Sequence, residues 1–262
     1  MSSPRKNNSD SQTPSTGSVP ARIAVIFAGG SGTRMGARLP KQFIEINGLP
    51  VLAHTLRVFQ NHPDIDGVYV VCNADYRDRT EQIVKGFGIT KTRRIVDGGD
   101  SAQASIYNGL KAVADDLPGE TIVLLHDGVR PCISSEVIHA NIESVQKYGN
   151  AITYTPCYET LVISKDGHQV CEIPRRRESF AAQAPQSFRL GDILAAHEKI
   201  RARPSGYADM VDQATICWTL GIPIHLVPGN RGNIKITTPE DVYMLRALLN
   251  YHEDQKNSQM FS

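Results

Sequence analysis

Three short apolar runs separated by helix-length amphipathic stretches constrain this chain more than any other feature of it. The runs are "ARIAVIFA", "GVYVVCN" from Gly67 to Asn73, and "TIVLLHD" from Thr121 to Asp127. An apolar run of this length, bounded by turn residues, predicts a strand buried on both faces, as in a parallel sheet. The intervening segments carry the helical period. "PVLAHTLRVFQNH" puts Val51, Leu52, Leu56 and Phe59 on one face, and "SAQASIYNGLKAVADD" does the same with Ile106, Leu110 and Val113. "SSEVIHANIESVQKYG" opens on Ser134 or Ser135 as N-cap and closes at Gly149. Strands alternating with helices predict an α/β domain built on an open, mostly parallel sheet.

The pattern changes near Ala151. "AITYTPCYETLVISKDGHQVCEIP" alternates at period two around "KDGH", which predicts a hairpin. We expect an inserted β-arm at about residues 152–175 that packs on a second subunit. The α/β character returns with "DMVDQATICWTLG" as a helix and "IPIHLVPG" as a strand. The last helix, "TTPEDVYMLRALLNYH", has Thr238 to cap it, Pro239 in its first turn, and Glu240 and Asp241 at its positive end. Residues 1–20 are polar and rich in Ser, Asn and Pro, and are expected to be a disordered tail. Residues 21–252 then form one domain, and 253–262 a frayed terminus.

Composition narrows the function. With a formal net charge of +1 over 262 residues, nothing points to nucleic acid or another polyanion as partner. Five scattered cysteines without CxxC spacing fit neither a disulfide framework nor a zinc site, and suggest a reducing compartment. The first residues lack the apolar segment of a secretory signal, and no apolar run is long enough to span a bilayer. The expectation is a cytoplasmic protein without membrane contact.

Chemistry concentrates in "FAGGSGTRM", Phe27 to Met35, followed by "LPKQF" at Leu39 to Phe43. Gly29, Gly30 and Gly32 let backbone N–H groups approach an anion closely, and Arg34 and Lys41 add two fixed charges. That combination suits a polyphosphate. A Walker A loop needs Lys followed by Ser or Thr after the last glycine, and none follows here. Met35 occupies the third glycine site of the dinucleotide fingerprint, and Thr33 the last glycine of a nucleophile elbow. A tight strand-to-helix turn with incidental basic residues would carry the same glycines.

"AGGSGTRM" followed by "PKQF" resembles the signature of nucleotidyltransferases that activate sugar or polyol phosphates. The resemblance is to the cytidylyltransferase family acting on methylerythritol 4-phosphate and ribitol 5-phosphate. It continues through "GG…ASIYNGL" (Gly98 to Leu110), "HDGVRP" (His126 to Pro131), "IPRR…QAPQSF" (Ile173 to Phe188), "DQAT" (Asp212 to Thr215) and "NIKITTPEDV" (Asn233 to Val242), in order. It implies a Rossmann-like, nucleotidyltransferase-type fold. It also implies a reaction in which a polyol phosphate attacks the α-phosphorus of CTP and pyrophosphate leaves.

The same resemblance implies roles for residues. Arg34 and Lys41 are the expected catalytic cations. Phe27, Ala28, Gly29, Gly30, Gly32 and Thr33 form the first nucleotide-binding segment. Gly99, Asp100, Ser101, Ala102, Gln103, Ala104 and Ser105 form the second, with Asp127 and Gly128 beside it. Asp127 is the expected Mg²⁺ ligand. Arg130, Thr160, Arg176 and Lys235 position the acceptor, with Thr160 supplied by the arm to a neighbour's site in a homodimer. His126 is expected to be a packed structural residue. Ala102, Ala184 and Glu159 depart from the family's usual Arg, Thr and Asp. The loop and arm motifs are more similar to the ribitol-phosphate branch, which implies CTP and D-ribitol 5-phosphate as substrates. The alternatives are methylerythritol 4-phosphate as acceptor, or a nucleotide-binding module with weak turnover. A third, an NAD-dependent enzyme, is opposed by Met35.

Overall fold

The structure, a computed structural model, describes residues 19–30 and 39–259. The expected N-terminal tail lies almost wholly outside these residues, as do Gly32, Thr33 and Arg34.

The first run becomes β1 (Arg22–Ala28). A small antiparallel pair, β2 (Glu45–Ile46) and β3 (Leu49–Pro50), leads into α1 (Val51–Asn61). Then come β4 (Gly67–Cys72), α2 (Arg77–Gly86), β5 (Thr92–Asp97), α3 (Ala102–Asp116), β6 (Ile122–Asp127) and α4 (Ser135–Tyr148). Ser134 caps α4 through its hydroxyl, and Gly149 ends it with φ +89°, a conformation that favours glycine. The second half holds β7 (Asn150–Pro156), β8 (Ile163–Ser164), β9 (Val170–Glu172), β10 (Phe180–Arg189), α5 (Leu190–Arg201), α6 (Gln213–Thr219), β11 (Leu226–Pro228) and α7 (Pro239–Gln259).

Among the described residues, seven strands form one sheet in the order β11-β7-β10-β6-β1-β4-β5. All neighbours run parallel except β10, which is antiparallel to both β6 and β7. The chain steps outward from β1 to β4 and β5, then returns to place β6 on the other side of β1. Strand order therefore reverses between β1 and β6, and a ligand crevice opens at the carboxyl ends of such a pair.

Alternation along the strands divides the core. Ala24, Ile26, Val68, Val70 and Leu124 face one layer, with Leu52, Leu56 and Phe59 of α1 and Ile138 and Ile142 of α4. Ile23, Val25, Val71, Val123 and Leu125 face the other, with Leu110 and Val113 of α3 and Ile193 and Ile200 of α5. Each of the Val, Leu, Ile and Phe side chains among these contributes about 1.5–3 kcal/mol by leaving water, so the central strands are held from both faces.

Two expectations change. Residues 152–156 belong to β7 of the main sheet, so the separate hairpin is the shorter β8–β9 pair, a sheet of its own. Residues 253–259 continue α7 instead of fraying. Thr238 directly precedes α7, and Asp241 in its first turn accepts the N–H groups of Thr237 and Thr238 at 2.7 and 2.8 Å. No described helix is long and apolar enough to cross a membrane.

Candidate active site

Phe27 near the end of β1 and Asp127 at the end of β6 are register partners, so the two strands deliver the glycine loop and a carboxylate to one point. The loop beyond β1 is pinned from below. Gln42 is buried, and its Nε2 donates to the carbonyls of Ala28 at 2.7 Å and Gly30 at 3.1 Å. Among the described residues, nothing demands glycine here. Among the described residues, a Cβ on Gly29 would have Asn73 N as its nearest neighbour at 3.9 Å, and one on Gly30 would lie 3.7 Å from Lys41 Cε. Neither residue has positive φ. The missing side chains leave open backbone facing a cavity, which is what close approach of an anion requires.

The opposite wall is the start of α3. A Cβ on Gly99 would lie 2.6 Å from Ala104 Cβ, so glycine lets this loop fold onto the helix. The Ser105 hydroxyl accepts the Gly99 N–H at 3.0 Å and donates to the Ser101 carbonyl at 2.9 Å. Ser101 caps α3 by accepting the Ala104 N–H at 3.1 Å. The positive end of the helix dipole therefore faces the cavity, where anions bind favourably.

Between these walls lies a cavity of about 420 Å³. Phe27, Ala28, Gly29, Gly30 and Lys41 form one side, and Gly99, Asp100, Ser101, Ala102 and Ser105 the other. Asp127 and Lys235 close it. A second cavity of about 240 Å³ adjoins it and shares Phe27, Ala102, Ile106, Asp127 and Lys235. Arg130 lines the second.

Asp127 sits at the seam, gripped by two cations. Lys235 Nζ donates to Oδ1 and Arg130 Nε to Oδ2, both at 2.8 Å. Burial works to raise the Asp127 pKa, but the charges of Lys235 and Arg130 outweigh it and hold it at about 2. Arg130 is itself braced, its Nη1 donating to the Asn233 carbonyl at 2.7 Å. Asn233 and Gln42 are not among the site residues expected from the sequence. Both lie inside motifs that carry the resemblance, and both are nearly or fully buried polar residues whose bonds run to the backbone of the site.

Several expected residues stand elsewhere. Gln103 points away from the nucleotide cavity: it is buried, donates to the Met210 carbonyl and accepts from Gln213 Nε2. Ala104 packs on Gly99. Gly128 does not line the cavity; its Cβ would come within 3.0 Å of Leu52 Cδ1 and the Phe27 carbonyl, so packing explains the glycine. Thr160 and Arg176 line neither cavity of their own chain; Arg176 Nη1 donates to the Tyr158 carbonyl on an exposed stretch. His126 is fully buried beside Phe59, its Nε2 bonded to the Arg130 carbonyl, and burial pushes its pKa down to about 4. It is a packed neutral ring.

Among the described residues no group of three His, Cys, Asp or Glu converges to cage a metal. Among the described residues, Oδ1 accepts from Lys235 and Oδ2 from Arg130, and a carboxylate oxygen has two lone pairs. A single such carboxylate fits Mg²⁺, which keeps several waters and takes most of its remaining ligands from substrate phosphates.

The family model described as IspD, 2-C-methyl-D-erythritol 4-phosphate cytidylyltransferase, matches residues 22–251. The chain belongs to this cytidylyltransferase family. A ribitol-5-phosphate cytidylyltransferase of Streptococcus agalactiae is 43% identical over 235 residues, covering 89% of this chain and 97% of that protein. A 2-C-methyl-D-erythritol 4-phosphate cytidylyltransferase of Geotalea uraniireducens is 40% identical over 227 residues, covering 86% of this chain and 95% of that protein. The crystal structure of a 4-diphosphocytidyl-2C-methyl-D-erythritol synthase from Anaerococcus prevotii superposes with a TM-score of 0.76 at 30% identity, covering 88% and 96% of the two chains. IspD-type membership makes the chain a nucleotidyltransferase, and the mixed, mostly parallel sheet is the architecture its solved relatives share.

Proposed function

We propose that this enzyme joins CTP and D-ribitol 5-phosphate to give CDP-ribitol and pyrophosphate. One observation carries the reading: two adjoining cavities meet at Asp127 and Lys235, one walled by an open glycine loop and a helix N-terminus, the other by Arg130. The first suits a nucleoside triphosphate and the second a phosphate-bearing acceptor. The similarity to ribitol-5-phosphate cytidylyltransferases favours ribitol as the polyol. The similarity to methylerythritol-phosphate enzymes makes methylerythritol 4-phosphate the second reading.

An oxygen of the acceptor phosphate attacks the α-phosphorus of CTP. The new O–P bond forms as the bond from the α-phosphorus to the bridging oxygen breaks, and pyrophosphate carries away the electron pair. Positioning and charge stabilisation supply the acceleration. Lys41 lines the first cavity and is assigned to the oxygens that gain charge; Arg34, which lies outside the described residues, is assigned the same role from the resemblance alone. Donors of this kind are each worth roughly 3–4 kcal/mol. Arg130 and Lys235 hold the incoming phosphate, with Asp127 keeping both side chains in place. When bound, Mg²⁺ neutralises charge on the triphosphate, and Asp127 is the residue we assign to hold it.

We further propose a homodimer built through the hairpin, in a cytoplasmic setting that suits five free cysteines. The β8–β9 pair bonds only to itself in the sheet pattern, and Leu161, Val162, Ile163, Val170 and Ile173 are exposed on or beside it. A partner's cavity would give Thr160 and Arg176 an acceptor to contact.

The test is pyrophosphate release from CTP across ribitol 5-phosphate, methylerythritol 4-phosphate and other polyol phosphates. The ribitol reading expects the highest kcat/KM with ribitol 5-phosphate. Preference for methylerythritol 4-phosphate selects the second reading. Binding of CTP with no release from any acceptor would leave a nucleotide-binding module.

A further inference from the structure

The smaller cavity has a cationic end at Arg130 and Lys235 and a far wall made by β10 and the turn before α6. Most of the polar atoms on that wall already have partners. Gln186 Nε2 donates to Asp212 Oδ2 at 2.8 Å, and its Oε1 accepts the N–H groups of Gln213 and Ala214. Asp212 Oδ1 accepts both the N–H and the hydroxyl of Thr215 at 2.8 Å. Gln213 Nε2 donates to Gln103 Oε1 at 3.0 Å.

Gln183 differs. Its Oε1 accepts from Asn233 Nδ2 at 3.4 Å. The orientation of Asn233 is set because the same Nδ2 donates to the Ala184 carbonyl at 2.7 Å, and a carbonyl can only accept. The atom Gln183 turns toward Asn233 is therefore its oxygen, and its NH₂ is the opposite end. Gly229 makes room for this arrangement, since a Cβ there would lie 2.9 Å from Gln183 Oε1. Among the described residues, no hydrogen bond uses Gln183 Nε2. Gln183 is half-buried, and its neighbours on that wall include the apolar Ala182, Ala184 and Val211. The cavity thus pairs two cations with an amide donor among small apolar groups. A polyol phosphate has the complementary layout, with an anion at one end and hydroxyl oxygens along the chain.

We propose that Gln183 is a specificity-determining residue for the acceptor, its Nε2 donating to a hydroxyl oxygen of the polyol chain while Arg130 and Lys235 hold the phosphate. This rests on the reading that the acceptor is a polyol phosphate. A site built to hydrogen-bond a substrate hydroxyl discriminates against analogues that lack it, because a donor covered by the bound analogue is then left without a partner. Asn233 is the positioning residue behind it, joining Arg130 and Gln183 in one brace.

The experiment is steady-state pyrophosphate release by the full chain and by Gln183→Leu and Gln183→Glu. Ribitol 5-phosphate is compared with its analogues in which single hydroxyls are replaced by hydrogen. The leucine variant should raise the KM for ribitol 5-phosphate by about 3- to 10-fold, the range of one lost hydrogen bond. The KM for CTP should stay unchanged, and the penalty of one deoxy analogue should shrink by the same factor. The glutamate variant keeps an oxygen for Asn233 and loses the donor, so it should keep the wild-type melting temperature and still raise the acceptor KM. It also keeps the test open if the leucine variant fails to fold. An unchanged acceptor KM in a folded variant overturns the inference, as does an equal rise in both KM values. If the wild type turns over no polyol phosphate, the reading beneath it has failed instead.

Discussion

Gln42 contributes no chemistry of its own, yet two of its hydrogen bonds hold the backbone at Ala28 and Gly30 where a triphosphate would lie. Gln42→Leu would leave those carbonyls without their donor, at roughly 1–3 kcal/mol. We expect the KM for CTP to rise about tenfold or more with the acceptor KM little changed, as steady-state kinetics would reveal. Lys41 is a different case, because its charge meets the transition state. Lys41→Ala should lower kcat by roughly 10²–10³ while circular dichroism and melting stay close to wild type. A near-wild-type rate would remove it from the catalytic set. His197 tests the core. Burial, with the nearby Arg201 charge, pushes its pKa down to about 4, against roughly 6.5 in an unfolded chain. Between those values the unfolded state binds more protons, so stability falls as pH drops from about 6.5 to about 4 and levels off below. The full span is roughly 3 kcal/mol. A His197→Gln variant should show a flatter dependence of urea midpoint on pH over that window, and an identical slope would contradict the assignment.

At the scale of elements, α3 does two things with one stretch of sequence. Its first turn walls the nucleotide cavity, and its middle lies against the sheet at Gly109. A Cβ at Gly109 would sit 2.8 Å from Val71 Cγ2 and 2.9 Å from Val25 Cγ1, both on stiff, buried strands. Gly109→Val should therefore destabilise the fold by at least ~2 kcal/mol, since overpacking outweighs any gain in helix propensity. Urea unfolding would measure it. The helix would have to move outward, so the KM for CTP should rise as well. The elements most easily read in the sequence were the doubly buried strands β1, β4 and β6, because burial on both faces leaves a continuous apolar run. β5 is an edge strand whose Arg93 and Arg94 are exposed, and it left no such signal. β10 was hidden for another reason. Pro185 argues against a central strand, yet β10 lies between β6 and β7, and its register against β7 shifts between Ala182 and Gln186, spanning the proline.

For the whole molecule, the order of strands matters more than their number. Because β6 lies beside β1 while β4 and β5 lie beyond it, Phe27 and Asp127 become neighbours although exactly one hundred positions separate them in sequence. Lys235 arrives from the far end of the chain, 108 positions from Asp127. The hairpin stands apart from this frame, since neither β8 nor β9 pairs with the main sheet. Replacing residues 161–173 by a short Gly-Ser linker should leave a folded chain that sediments as a monomer. Its acceptor KM should rise if Thr160 and Arg176 serve a neighbour. A dimer that persists without the hairpin would rule out the proposed interface.

The sequence by itself determined the α/β class, the glycine loop after the first strand, the cations available to it and the helix stop at Gly149, with a serine at 134 or 135 to cap the same helix. Each depends on residues close together in the chain, where period, cap and turn chemistry act directly. Only the tertiary structure decided that Gln103 turns inward and that Asn233 braces both Arg130 and Gln183. It alone set Arg130 and Lys235 on the two oxygens of Asp127. Those outcomes depend on which way a side chain faces once distant segments pack, and no local pattern carries that information.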